Sequence, residues 1–231
     1  MKDRDLKNKI KAIAMNLGAD LVGIASVERF AGAPEGFHPT DIVPQAKTVV
    51  VLAKVFPKEV LINKRRLTAY KSAFDGLVSK LDSIALNLAN YIEELGFKAY
   101  PVPTDDPYTS WDEETLHGRG DLSHRHAAVA AGLGVMGKNT LLITPQYGNR
   151  VYLTSIITNL DIEADPLLEL NLCPEDCRIC LDACPAGALD GQTVVQKLCR
   201  PQMSTKLPRG FSVYGCWECR RVCPVGNRSV Y

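Results

Sequence analysis

The residues whose spacing says most about chemistry are the cysteines. All eight fall between positions 173 and 223 of this 231-residue chain. Cys173, Cys177, Cys180 and Cys184 form one group, with Pro185 directly after it. Cys199 stands alone. Cys216, Cys219 and Cys223 form a second group, with Pro224 directly after it. Thiolates placed this closely on a turning segment can wrap one face of an iron–sulfur cluster or hold zinc.

The spacing favours clusters. Three neighbouring cysteines, then a fourth three residues on and followed by proline, is the pattern of a two-cluster bacterial ferredoxin, in which the fourth cysteine ligates the other cluster. Both Cys-Pro ends fit that pattern. The departure is three residues between Cys173 and Cys177 where two are usual. The assignment that follows is one cluster on Cys173, Cys177, Cys180 and Cys223, and another on Cys184, Cys199, Cys216 and Cys219, both of the 4Fe–4S type. Zinc is the first alternative, although two C-x-x-C pairs would suffice for it and the Cys-Pro ends would go unexplained. Disulfides are the second, and they suit small secreted chains.

Composition narrows the class. The chain is 46% hydrophobic, enough for a real core, and its net charge of +1 gives no reason to expect general binding to nucleic acid or a membrane surface. No apolar run reaches the roughly 18 residues of a membrane span. Met1 to Lys11 is polar and lacks a signal-peptide core, so with reduced thiols the expected compartment is the cytoplasm.

The elements that must position the cysteines come earlier. Leu6, Ile10, Ile13 and Leu17 predict a helix stopped by Gly18, and residues 21–25 predict a short buried strand. Thr48 to Val55 is the strongest strand, apolar on both faces. Apolar residues step by three or four from Leu67 to Leu95, predicting one long helix from about Arg65 to Leu95 that ends at Gly96 and serves as core or as a homodimer face. A strand is expected over 97–102, an exposed polar loop over 104–120, and a short helix over 123–131 with Ser123 as its N-cap. Strands follow at 140–143 and 150–158, then a linker or short helix over 161–172. The fold class is α+β, with an α/β-like front domain over 1–165 and a two-cluster ferredoxin-like domain over 166–231.

Gly132-Leu-Gly-Val-Met-Gly137 matches G-x-G-x-x-G by letter. A dinucleotide site needs a strand before that motif and a helix after it. Here the order is reversed, so the glycines read as a bend that lets a ligand or another backbone come close.

The segment His126 to Pro145, the cysteine pattern with its lone Cys199, and Leu17-Gly-Ala-Asp-Leu-Val-Gly-Ile-Ala25 together resemble the epoxyqueuosine reductases over nearly the whole chain. That family is related to the reductive dehalogenases. The resemblance implies a cobalamin-binding domain of nitroreductase-like fold, followed by a two-cluster domain that feeds electrons to the cobalt. It carries corrinoid contacts onto Gly132, Gly134, Gly137, Lys138, Asn139 and Thr140. The family's proton-donating acid, in an Asp-Ser/Thr-x-Pro-like motif, is replaced here by Gly120-Asp-Leu-Ser-His-Arg-His126. Asp121 and His124 are the catalytic candidates left, with His117 and His126 beside them. The C-terminal helical-repeat region with which family members grip tRNA is absent after Pro224, so the expected substrate is a small molecule other than tRNA.

Tyr108 and Trp111 are candidates to stack on a flat cofactor. Arg209, Arg220, Arg221 and Arg228 sit among the thiols, either to neutralise them or to dock an acidic electron donor such as ferredoxin or flavodoxin. Two rivals to the corrinoid enzyme remain. One is an electron carrier that reactivates a partner corrinoid protein. The other is a flavin-dependent reductase.

Overall fold

The structure, a computed structural model, describes residues 3–227; Met1 and Arg228 therefore lie outside the described residues. Helix α1 (Asp3–Leu17) leads into strand β1 (Leu21–Ser26), followed by β2 (Thr48–Val55). Helix α2 (Leu67–Glu94) precedes β3 (Ala99–Val102), helix α3 (His124–Ala130) and β4 (Val151–Thr158). The four strands form one sheet in the order β1-β2-β4-β3, with every neighbouring pair antiparallel.

Period-two alternation explains why β2 reads as unbroken apolar sequence. Val50 and Leu52 face one core together with Ile24 and Ile156. Val49, Val51 and Ala53 face the other with Ala25, Leu153 and Ile157. Helices α1 and α2 cover the first face. Helix α3 and its loops cover the second. An antiparallel sheet usually leaves one face to water; this one is buried on both, so its strands carry no polar stripe.

Helix α2 forms within two residues of its expected bounds. Its Phe74, Leu77, Leu81, Ile84, Leu88 and Ile92 are buried in the chain's own core, and Gly96 closes it at φ 89°. At 1.5 Å per residue its 28 residues run about 42 Å.

The expected loop over 104–120 contains a small hairpin, Ser110–Asp112 paired with His117–Arg119. Both strands lack an apolar alternation, because neither faces a core. The hairpin is shaped by Tyr108: a Cβ on Gly118 would lie 2.6 Å from its ring.

The cysteine segment is built of short pieces: helices Ile179–Asp182, Gln196–Met203, Glu218–Arg221 and Pro224–Asn227, and a hairpin of Ser204–Lys206 with Ser212–Tyr214. It shares the first core with the front of the chain. Trp217 is 6% exposed, stacks on Tyr70 at 4.0 Å, and donates its indole N–H to the Leu61 carbonyl at 2.7 Å. Tyr214 meets Phe74 edge-on at 4.6 Å. The lead-in over 161–172 is irregular and anchored by Asp165. Its carboxylate accepts from the Ile24 N–H at 2.9 Å and pairs with Lys7 at 2.9 Å and Lys11 at 2.5 Å.

Candidate metal centres and the loop between them

The fold brings the eight thiols into two sets of four. Burial pushes the Cys180 thiol above its ordinary value, and so do neighbouring Cys173, Cys223 and Cys177. Burial pushes Cys219 up to about 11, with Arg220 opposing and Cys199, Cys216 and Cys184 adding to it. Cys199 is likewise raised by burial, Cys184 and Cys216, against Arg200. All eight cysteines are free thiols.

Local turns produce this convergence. Cys180 rides on the one-turn helix Ile179–Asp182, and Cys177 N–H closes a turn on the Pro174 carbonyl at 3.2 Å. Cys184 follows that helix, with its sulfur accepting from Ala188 N–H at 3.4 Å. Cys219 sits on Glu218–Arg221, while Cys223 and Pro224 begin the next turn.

The first set, with Lys138, Asn139 and Ile143, lines a recess of about 310 Å³, including space open to solvent. Among the described residues no three His, Cys, Asp or Glu side chains meet closely enough for a single metal ion. A tetrahedral zinc with Zn–S of about 2.3 Å would bring its sulfurs to about 3.8 Å of one another. A soft, all-thiol donor set spread around a recess instead suits a multi-iron cluster.

The glycine loop lies between the two sets. Its backbone makes a two-residue hairpin, Val135–Met136 with Leu142–Ile143, so the strand expected from Thr140 is shorter. The glycines are required by the protein itself. A Cβ on Gly132 would lie 2.0 Å from the Pro166 carbonyl oxygen, and one on Gly134 would lie 2.2 Å from that of Ile143. A Cβ on Gly137 would meet the Asn139 and Ile143 side chains at 2.7 Å.

The polar residues of the loop are engaged as well. Lys138 donates to the carbonyls of Glu175 and Cys177, the latter at 3.1 Å, beside the first set. Buried Asn139 donates to the Cys219 carbonyl at 3.0 Å, in the second set, and accepts from Leu141 N–H at 3.2 Å. Thr140, at φ 59°, accepts from the Arg125 guanidinium with both its carbonyl and its hydroxyl. Lys138 and Asn139 are thus directed at the thiol segment, and Thr140 at Arg125.

Asp121 accepts from the Tyr100 hydroxyl at 2.6 Å and from the Thr109 hydroxyl. His124 Nε2 lies 2.8 Å from the Pro103 carbonyl and so carries the proton there; Nδ1 then accepts from the Ser155 hydroxyl at 2.9 Å. Burial holds the His124 imidazole below its usual range. It is neutral at pH 7, with its one proton directed at a carbonyl. The Ser123 hydroxyl pairs with His126 Nδ1 at 2.7 Å instead of capping the helix. His117 lies in the hairpin, opposite Asp112.

Tyr108 and Trp111 stack on each other, ring centroids 6.0 Å apart. Arg200 joins them, donating to the Tyr108 hydroxyl at 2.9 Å and lying 4.8 Å and 5.3 Å from the two ring centres. Spacing gave no reason to single out Arg200, although its adjacency to the lone Cys199 was a usable signal. Asp105 was also missed. Burial and then Asp106 push its carboxyl above the usual range, opposed by Arg200. Of the arginines noted in sequence, Arg220 is buried, Arg221 pairs with Glu218 at 2.6 Å, and Arg209 is exposed at the tip of the second hairpin.

The mixed α/β fold is that of the reductive dehalogenases and epoxyqueuosine reductases. A reductive dehalogenase described for B12-dependent dehalogenation superposes at a TM-score of 0.68 with 22% identity, over 95% of this chain and 32% of its own. A selenomethionine-labelled epoxyqueuosine reductase superposes at 0.65 with 26% identity, over 97% of this chain and 66% of its own. The epoxyqueuosine reductase of Bacillus subtilis is 30% identical over 264 aligned residues, 96% of this chain and 64% of the relative. No family model matches the chain. The chain is similar to epoxyqueuosine reductases over nearly all of its own length. It spans just under two thirds of the length of these curated relatives.

Proposed function

We propose that this chain is an iron–sulfur oxidoreductase of the epoxyqueuosine reductase type. It would hold two 4Fe–4S clusters, one on Cys173, Cys177, Cys180 and Cys223 and one on Cys184, Cys199, Cys216 and Cys219. It would pass low-potential electrons to a corrinoid that reduces a small substrate on the Thr104–His126 face. The observation that carries this reading is the sorting of eight free thiols into two sets of four. When bound, the clusters supply one-electron chemistry. The chain's own residues supply thiolates, anchor the second set to the core through Trp217, and tie the two sets together through Lys138 and Asn139.

The electron donor would be a ferredoxin or flavodoxin. Among the described residues no helix is long and apolar enough to cross a membrane. A second reading, an electron carrier serving a partner's corrinoid, is favoured by one observation: the loop residues named for the corrinoid are spent on contacts within the chain.

Anaerobic reconstitution followed by iron and sulfide assay tests the cluster reading, with about eight irons per chain expected; four or fewer overturns it. Adding cob(II)alamin to the loaded protein separates the other two readings. A base-off spectrum saturating near one per chain supports a resident corrinoid, and an unchanged spectrum supports the carrier.

A further inference from the structure

The two thiol sets differ in the charges around them. Three arginines stand against the second. Arg220 is buried, donates to the carbonyls of Asn149 and Val151 (3.1 Å for the latter), lies 4.3 Å from the Tyr152 ring centre, and interacts with Cys219. Arg125 is within electrostatic reach of Arg220 and of the same Cys219. Arg200 adjoins Cys199 and acts on it. Among the described residues none of the three forms an ion pair with a carboxylate within 4 Å. Asp105 lies within electrostatic range of Arg200. Lys64 and Glu218 line the space beside Cys216, and Glu218 pairs with Lys64 at 3.4 Å and with Arg221 at 2.6 Å.

Among the described residues lining the recess of the first set the one cation is Lys138, whose ammonium is held by two carbonyls; Arg178, beside Cys177, pairs with Asp182, and Arg221, two residues before Cys223, pairs with Glu218. The charged neighbours acting on Cys180 are the other thiols of its set.

A buried cation without a carboxylate is costly unless another negative charge compensates it. Four thiolates around a 4Fe–4S core in its 2+ state carry a net charge of −2, and one-electron reduction makes it −3. Nearby buried cations therefore favour the reduced form. Resting on the two-cluster reading, we infer that the cluster on Cys184, Cys199, Cys216 and Cys219 is the more easily reduced of the two. An electron supplied by a low-potential one-electron donor then rests beneath the Tyr108–Trp111 hairpin, which Arg200 holds. That end of the chain is the exit, and the cluster beside Lys138 is the entrance.

Potentiometry followed by electron paramagnetic resonance tests this on the reconstituted full chain. Cys199→Ala identifies which signal belongs to the second set. In the wild type that signal develops at the higher potential. Arg220→Met lowers its reduction equilibrium about tenfold, a downward move of about 59 mV for one electron, and leaves the other signal in place. Arg200→Gln, a less buried change, moves the same signal in the same direction by less and keeps the measurement possible if Arg220→Met does not fold. Arg178→Gln, an exposed residue paired with Asp182, moves neither. Eight irons with the first-set signal at higher potential, or with potentials unmoved by both arginine variants, overturns the inference alone. Four or fewer irons in the wild type overturns the two-cluster reading and the inference with it.

Discussion

The two thiol sets share a spacing but are held in different ways. The first is contained in one stretch, Cys173 to Cys180, and needs only Cys223 from a distance. It opens into a recess and touches the front of the chain through the glycine loop. The second draws Cys184, Cys199, Cys216 and Cys219 from separate turns, and it is wedged against the main core by Trp217 and Arg220. A locally built site depends on its own turns. A site gathered from distant turns depends on the core behind it.

Cysteine substitution is the most severe way to break the comparison. Cys180→Ala removes a ligand of the first set and should halve the iron, from about eight to about four per chain, with the second resonance signal kept. Cys219→Ala should also cost one cluster, and the other signal should then be the survivor. Loss of both clusters in either variant would mean that the sets are not independent.

Trp217→Ala attacks the second set without touching a ligand. A large aromatic side chain leaves the core and the Leu61 carbonyl loses its donor, a cost of about 3–5 kcal/mol. Denaturant unfolding reads the loss. Iron release on dilution should begin with the second set, because Trp217 lies between Cys216 and Cys219.

Most of this contrast could not be read from the sequence. That the thiols gather was legible because closely spaced cysteines on short turns cannot lie far apart. Strand β2 and helix α2 were legible because long periodic burial leaves its mark on each residue. The role of the glycine loop was not: Gly132 is needed because the Pro166 carbonyl packs where its side chain would be, 34 residues on in the chain. The hairpin at Ser110 to Arg119 was hidden because its strands lie over polar surface and an arginine from the cysteine segment. His124 reads as an acid–base candidate until its two ring nitrogens are found occupied by Pro103 and Ser155.

The lead-in to the first set supplies a gentler test. Burial would raise the Asp165 carboxyl, but hydrogen bonds from Lys11 and Lys7 outweigh it and hold the group below the usual carboxylate range. A folded-state value below the unfolded one adds stability that is complete above roughly pH 4 and is lost as pH falls through the folded value. Asp165→Asn should cost about 2 kcal/mol at pH 7, since charged hydrogen bonds and two partly buried lysines lose their partner. Stability curves of variant and wild type should converge in acid. A constant gap down to pH 2 would show that packing, not charge, anchors the segment.

The smallest expected effect concerns the second set's outer cover. Tyr108→Phe keeps the ring over Arg200 and the contact with Gly118 but deletes the hydroxyl that accepts from the guanidinium at 2.9 Å. One half-buried hydrogen bond is worth about 0.5–1.5 kcal/mol, so the global unfolding midpoint should barely move. Hydrogen exchange should report the change where it occurs: amides of Ser110–Asp112 and His117–Arg119 should exchange faster, while those of the Cys173–Cys180 turn stay as they were. If both regions loosened together, the hairpin would be braced by the thiol segment as a whole, and the contrast between a local and a gathered site would not extend to the surface.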